Sequence, residues 1–440
     1  MTGFSRRGAC PALSAPMQTG DGLLVRLNSV AGGISPNALI DLCESAVRHG
    51  NGIMEVTARG SLQIRGLTIE SALILAAEVD ALGIAVRTGV PVETGPLAGL
   101  DPDEVADPRP LAERIREGIE AAGLGSRLGP KVSVVIDGGG WLGMGTVLAD
   151  VRLVAERHES GILWRLSVAG DGRTASQLAL LPETAAADAA LAILAAIAAL
   201  GREGRARDLE PEQLAVLTQG RNGSRPALPP SIPIGTFPLA ENLHALAIAL
   251  PFGSVPAETL IALVQAAASL GAFEIRFAPE RTLLVLGPVQ PACAELRSTA
   301  ASLGFVTDPA DPRTKIAACP GTPACGSGHI ETRKIAEEIA KEDGDTFDRS
   351  LSLHVSGCAK GCAHPAEAAL TLVGGEKGAG LVVSGTAKGL PAAYTPGYDA
   401  VRGFGRVAEL LRNQRRPEEN SASCLARLGE TRVAAAFRQG

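Results

Sequence analysis

PNALIDLCESAVRHGNGIMEVTARGSLQIRG, residues 36–66, and PAETLIALVQAAASLGAFEIRFAPERTLLVLG, residues 256–287, are two versions of one pattern. Each opens on Pro at a helix start and carries apolar residues at helical spacing through its first half. Each then reaches a Gly and runs through two strand-like segments that end at another Gly. A one-residue gap aligns them. An apolar strand precedes each copy, GLLVRL (22–27) and LHALAIAL (243–250). A further helix follows each, then GIAVRTG (83–89) or GFVTDP (304–309). The order strand-helix-strand-strand-helix-strand is the split βαβ, ferredoxin-like unit.

A second repeat is interleaved with the first. Residues 131–172 can be laid on 351–389, so that Asp137-Gly138 falls on Ser356-Gly357, and Gly139 and Gly143 fall on Cys358 and Cys362. The chain therefore reads as a duplicated α+β protein with pseudo-twofold symmetry. Its expected parts are a ferredoxin-like half-domain over 20–92, a companion domain over 96–217, a Pro- and Gly-rich connector over 218–235, a second half-domain over 236–308 and a second companion over 309–395. The tail, 396–440, is expected to hold one amphipathic helix followed by loosely ordered polar residues.

Composition sets bounds. The chain has 440 residues, enough for two or three domains, with 46% hydrophobic and 20% charged residues. A net charge of −6 argues against a general nucleic-acid binder, so any anionic ligand must be met by a local cluster of Arg and Lys. No apolar run reaches the roughly 18 residues of a membrane span. The nearest, 185–200, is interrupted by Asp188 and reads as a packed helix. The first twenty residues carry no long apolar core, so no secretory signal is expected, and a cytoplasmic location follows.

Four of the eight cysteines sit in two short loops, AACPGTPACGSG (317–328) and HVSGCAKGCAHP (354–365). The spacing is Cys319-x5-Cys325, 32 residues, then Cys358-x3-Cys362. In a reducing compartment such pairs point to metal or redox chemistry rather than disulfides. Zinc, an iron–sulfur cluster and four inert thiols are the readings. Zinc favours two to four residues between paired ligands, which counts against x5. Gly321, Gly326, Gly357 and Gly361 let backbone amides approach sulfur, which favours a [4Fe-4S] cluster. Cys10, Cys43, Cys293 and Cys424 show no partner spacing.

The two cysteine loops resemble the cluster signature of the sulfite and nitrite reductase family. TARGSLQIRG (57–66) is similar to that family's Thr-x-Arg-x-x-x-Gln segment, and the duplicated architecture matches over roughly 8–395. Within the family, RRGACPALSAPMQTGDGLLVRL, HGNGIMEVTARGSLQIRGL, PLAGLDPDEVADPRPLA and NGSRP resemble the precorrin-3B synthase branch. That resemblance implies a monooxygenase-type [4Fe-4S] enzyme that uses O2 and NADH-derived electrons. Its implied reaction hydroxylates C20 of the tetrapyrrole precorrin-3A and closes a γ-lactone. A short sirohaem-dependent sulfite or nitrite reductase, and a non-catalytic iron–sulfur carrier or sensor, are the rival readings.

A carboxylate-rich macrocycle calls for arginines, whose planar fork meets carboxylates bidentately. Arg59, Gln63 and Arg65 are spaced to share one face of a strand, with Leu62 and Ile64 on the other. The second copy places Leu284 and Leu286 at the Gln63 and Arg65 positions. A solvated face gives no reason for that asymmetry; a one-sided ligand does. Lys131 matches the first of two lysines that line the family's active site, while Ser133 stands at the second, a departure that weakens the sulfite or nitrite reading. The expected substrate-binding set is Arg59, Gln63, Arg65, Lys131 and Lys360, with Arg59 and Lys131 also catalytic. Arg313, Lys315, Arg221 and Arg225 are further candidates. His354 and His364 flank the second cysteine loop and are candidates for a second, non-haem iron. GGGWLG (138–143) matches a dinucleotide fingerprint, but the segment after it reads as a strand rather than the helix that fingerprint needs. Electrons are therefore expected from a separate NADH-linked reductase or ferredoxin.

Overall fold

The computed structural model describes residues 11–28, 32–217, 233–239 and 242–438. Arg221 and Arg225 lie outside them.

The first half-domain pairs Gly22–Leu27, Leu62–Leu67 and Ile53–Val56 in that spatial order, all antiparallel. Two helices, Pro36–His49 and Ile69–Ala81, cover one face. The first of these shows why the sequence folds locally as it does. Ser35 caps it by accepting from the Ala38 amide, Pro36 supplies a fixed φ at the start, and Arg48 and His49 close the last turn, where the helix dipole favours cations. Leu39 and Leu42 on its inner face are fully buried, each contributing roughly 1.5–3 kcal/mol. The second half-domain repeats the plan with His244–Ala249, Thr282–Leu286 and Glu274–Ala278, edged by Gly235–Pro238. The segments expected as closing strands are less regular: Val306 makes only an isolated bridge, to Ala249.

The halves exchange edges. Ser254–Pro256, from the second half, adds to the first sheet beside Ile53–Val56, and Ile34, from the first half, bridges Ile275 in the second. Each exchange satisfies strand-edge amides that would otherwise be exposed. One hydrophobic core runs through both half-domains, from Val25 and Leu39 to Leu260, Val285 and Phe305.

The companion domains are topological copies. One orders Val92–Thr94, Val134–Asp137, Ala149–His158, Gly161–Gly170 and Ser176–Leu181; the other orders Ile316–Ala318, Leu353–Ser356, Ala368–Gly375, Gly378–Gly385 and Ala393–Thr395. In both, the first three strands are parallel and the last two antiparallel. The Ala-rich helix Glu183–Ala199 is packed into the first copy's core, and no helix among the described residues is long and apolar enough to cross a membrane. The tail differs from expectation. After Ala400–Gln414 a second helix, Ser421–Arg438, buries Cys424, Leu425, Leu428, Val433, Ala434 and Phe437 against the core. Its polar composition hides two short apolar stripes, separated by Gly429 at φ +76°.

Candidate active site

The helix-free face of the first sheet is polar. Arg26, Gln63 and Glu55 lie opposite one another across three strands. Arg26 donates to Gln63 Oε1 from Nε (3.1 Å) and Nη2 (2.7 Å), and Gln63 Nε2 donates to Glu55 (3.1 Å). Arg333, from the helix Thr332–Glu342 of the second companion domain, donates to the other Glu55 oxygen. Leu62 and Ile64 point into the core on the opposite face, as their alternation requires. The matching face of the second sheet is apolar on two of its strands, where Ala245, Ala247, Leu284 and Leu286 are covered by Leu97 and Leu142 from the first companion domain, while Glu274 and Arg276 face the same side from the next strand.

The cysteine loops meet at the edge of the second companion domain. The Gly357 amide donates to Cys319 Sγ (3.1 Å), the His329 amide to the Gly357 carbonyl (2.9 Å), and Lys360 Nζ to Ser327 Oγ (2.6 Å). A Cβ on Gly357 would stand 3.2 Å from the Cα atoms of both Gly321 and Gly328 and 3.5 Å from Cys319 Sγ, so a side chain there would push the two turns apart by a few tenths of an ångström. Burial, and then the proximity of the Cys358, Cys319 and Cys325 thiols, push the Cys362 thiol up, against a smaller pull from Lys360. The Gly357 amide and the close approach of the two glycine-lined turns bring Cys319 beside the Cys358 loop, with Cys319 buried and Cys362 exposed. Among the described residues no three His, Cys, Asp or Glu side chains converge tightly enough for a single metal ion. A cubane asks for a wider set, because each thiolate binds a different iron.

A cleft of about 310 Å³ opens where the hairpin turn of the first sheet meets the first companion domain and the second sheet. Arg59, Arg87, Arg109 and Arg276 line it. Arg59 donates to the Leu148 carbonyl (2.7 Å), Glu93 (2.9 Å) and Ser133 Oγ (3.2 Å).

Several expected residues stand elsewhere than their spacing implied. Arg59 lies on the turn between Ile53–Val56 and Leu62–Leu67, closed by the Gly60 amide donating to the Thr57 carbonyl (2.9 Å), so it does not share a strand face with Gln63 and Arg65. Arg65 offers no fork to a ligand. It is buried and donates to Asp21 from Nε (3.0 Å) and Nη2 (2.9 Å), to Glu55 from Nη1 (3.5 Å) and to the Ala324 carbonyl (2.6 Å). Lys131 is exposed on the turn before Val134–Asp137 and is not among the cleft's lining residues; Ser133 is buried beside Arg59. Arg313 is engaged with Asp311 (2.7 Å). His354 is fully buried, with neither ring nitrogen hydrogen-bonded, 5.8 Å from the His364 ring centroid. Burial first, then His364 and Arg281, push it down to about 4. Among the described residues no third His, Cys, Asp or Glu converges on these two imidazoles, so the pair alone does not make the second iron site.

Arg26, Arg87, Arg109 and Arg276 were missed by reading the sequence. Arg109 sits inside PLAGLDPDEVADPRPLA, whose resemblance pointed at the segment but not at the residue. Arg26 becomes visible only once the register with Gln63 is known.

The fold and this arrangement define a protein of nitrite and sulfite reductase architecture. Residues 15–82 match the nitrite/sulfite reductase ferredoxin-like half domain. The structure of the Mycobacterium tuberculosis NirA protein superposes with a TM-score of 0.77 at 21% identity, covering 93% of this chain and 84% of that one. A ferredoxin–nitrite reductase of Synechococcus elongatus is 23% identical over 80% of this chain and 76% of its own length. A precorrin-3B synthase of Sinorhizobium sp. is 44% identical over 437 residues, 99% of this chain and 95% of the relative. The chain belongs to the precorrin-3B synthase family.

Proposed function

We propose that the chain converts precorrin-3A to precorrin-3B, hydroxylating C20 with O2 and closing a γ-lactone. Cys319, Cys325, Cys358 and Cys362 would hold a [4Fe-4S] cluster. The single observation that carries the reading is the closing of the two cysteine loops on one another, with the Gly357 amide on Cys319 Sγ, beside a sheet face that is polar across three strands in one of the two copies. The residues fit that group: all four donors are sulfur, the Gly357 amide already points at one of them, and glycine keeps the two turns in close approach. When bound, the cluster supplies electrons one at a time.

The rest is the work of this chain's own residues. Arg59, Arg109 and Arg276 in the cleft, with Gln63 and Arg26 on the sheet, would bind the carboxylates of the macrocycle and fix which carbon faces the oxygen site. Their charge is preorganised by Glu93, Asp107 and Glu274, which hold the guanidinium groups before the substrate arrives. Ser133, at the second of the family's two lysine positions, hydrogen-bonds Arg59 and adds no charge of its own. That suits a reaction that does not reduce an oxyanion. Electrons would come from NADH through a separate reductase or ferredoxin, in the cytoplasm.

The test is anaerobic purification with iron and sulfide counts, a visible spectrum, and an O2-dependent assay on precorrin-3A. A broad brown absorption with conversion of precorrin-3A is expected. Strong Soret and red bands would instead mark sirohaem and the reductase reading. Colourless, iron-free protein would sink both.

A further inference from the structure

We propose that Arg65, with Asp21 and Gly20, is a positioning device for the Cys325 loop, supplied by the opposite half of the chain; this rests on the cluster reading above. The loop between Cys319 and Cys325 is held at both ends. At the Cys319 end the grip is local: Thr332 Oγ1 donates to the Cys319 carbonyl, and its neighbour Arg333 reaches across to Glu55. At the Cys325 end the local turn bonds, Cys325 amide to Gly321 carbonyl and Gly328 amide to Cys325 carbonyl, are joined by a grip from the first half-domain. Arg65 Nη2 donates to the Ala324 carbonyl at 2.6 Å, the peptide that leads directly into Cys325. The turn before Gly22–Leu27 presses on the same segment. A Cβ on Gly20 would lie 2.5 Å from the Gly326 nitrogen, 2.8 Å from the Pro323 oxygen and 2.9 Å from the Cys325 carbonyl carbon.

The guanidinium cannot drift. Asp21 takes two of its donors, and Asp21 is itself fixed by Thr19 Oγ1 (2.8 Å) and Asn51 Nδ2 (3.0 Å). Glu55 holds a third nitrogen and is tied in turn to Gln63 and Arg333. A charged donor on the Ala324 carbonyl orients the 324–325 peptide plane. That plane sets the direction of the Cys325 amide, which closes the turn on the Gly321 carbonyl at 2.7 Å, and with it the exit of the Cys325 side chain. Groups that orient metal ligands from the outer shell commonly govern metal retention. Arg65 is therefore read as acting through Cys325, not on the substrate.

The experiment compares wild type, Arg65→Lys and Gly20→Ala, each as anaerobically purified full-length holoprotein. Lys keeps the charge but cannot form the fork to Asp21 and the carbonyl together. Gly20→Ala disturbs the same loop without touching any charge, and so serves if Arg65→Lys fails to fold. The readouts are iron per chain, the electron paramagnetic resonance spectrum of the reduced protein, the rate of bleaching in air, the thermal midpoint and the KM for precorrin-3A. Expected is bleaching about tenfold faster and an altered resonance spectrum, within the 10–100-fold range of outer-shell losses, with KM unchanged. A wild-type bleaching rate and spectrum in the variants, with a raised KM in Arg65→Lys, would overturn the proposal and return Arg65 to substrate binding. Iron-free wild type would remove the cluster reading itself, a different failure visible before any variant is made.

Discussion

The turn after Val134–Asp137 and the turn after Leu353–Ser356 occupy the same place in two copies of one fold, and they are filled in opposite ways. In the first, carboxylates meet the backbone amides: Asp137 accepts from Gly139 (3.0 Å) and Met144 (2.7 Å), and Asp101 accepts from Trp141 (2.6 Å). Leu142, from the same turn, plugs the apolar face of the second sheet. In the second, sulfur takes the place of carboxylate, with the Gly357 amide on Cys319, and the sheet opposite is polar. Duplication offers two equivalent sites. This chain closes one with its own side chains and keeps the other for something it does not encode.

The strongest way to break the comparison is Cys358→Ser. It should abolish iron retention and all conversion of precorrin-3A, while Gly139→Ser at the equivalent position leaves iron content at the wild-type level. Equal iron in both variants would mean that the two turns do not differ as described. Next is Leu286→Arg, which copies Arg65 onto the closed side. With Leu97 and Leu142 above it, and with Glu274, directly across from it, already paired with Arg276, the change should cost about 3 kcal/mol or more, read by denaturant unfolding.

Arg59→Ala sharpens the comparison from the open side. Arg59 is 37% exposed, so the loss of its ion pair with Glu93 should cost under about 1 kcal/mol of stability. The KM for precorrin-3A should nevertheless rise about tenfold, equivalent to roughly 1.4 kcal/mol of lost binding.

The smallest effect concerns pH and belongs to the closed side. Burial, and then Asp107 and Asp101, push the Glu104 carboxyl up to about 7, against the Gly99 amide (2.7 Å) and Arg109. A carboxyl whose folded pKa is raised binds more protons folded than unfolded. Its contribution is full below the unfolded value of 4.5 and is lost as pH rises through about 7. Between pH 5 and 8 wild type should therefore lose on the order of 1 kcal/mol that Glu104→Gln does not lose, once solvent screening is allowed for. Parallel pH profiles for the two proteins would remove Glu104 from this role.

Much of the fold was legible because it is repetitive. A helix with Ser35-Pro36 at its start and Gly50 after its end, followed by two alternating strands, is specified by local residues, and seeing it twice removes ambiguity. The polar and apolar faces of the two sheets were also legible, since Gln63 and Arg65 against Leu284 and Leu286 is a one-dimensional comparison. The site was less so. Arg59 kept the period of its strand but lies on the turn, because periodicity cannot mark where a hairpin bends. The tail helix Ser421–Arg438 read as polar because two short stripes carry its packing.

By itself the sequence determined the duplication, the cysteine pairs and which half keeps a polar face, since each depends on residue type at a fixed spacing along the chain. Only the tertiary structure decided that Arg65 spends its guanidinium on Asp21, Glu55 and the Ala324 carbonyl, and that four arginines from distant segments share one cleft. A buried cation takes whatever acceptors the fold brings within about 3 Å. Those acceptors come from segments up to 259 residues away, a separation that no local pattern can record.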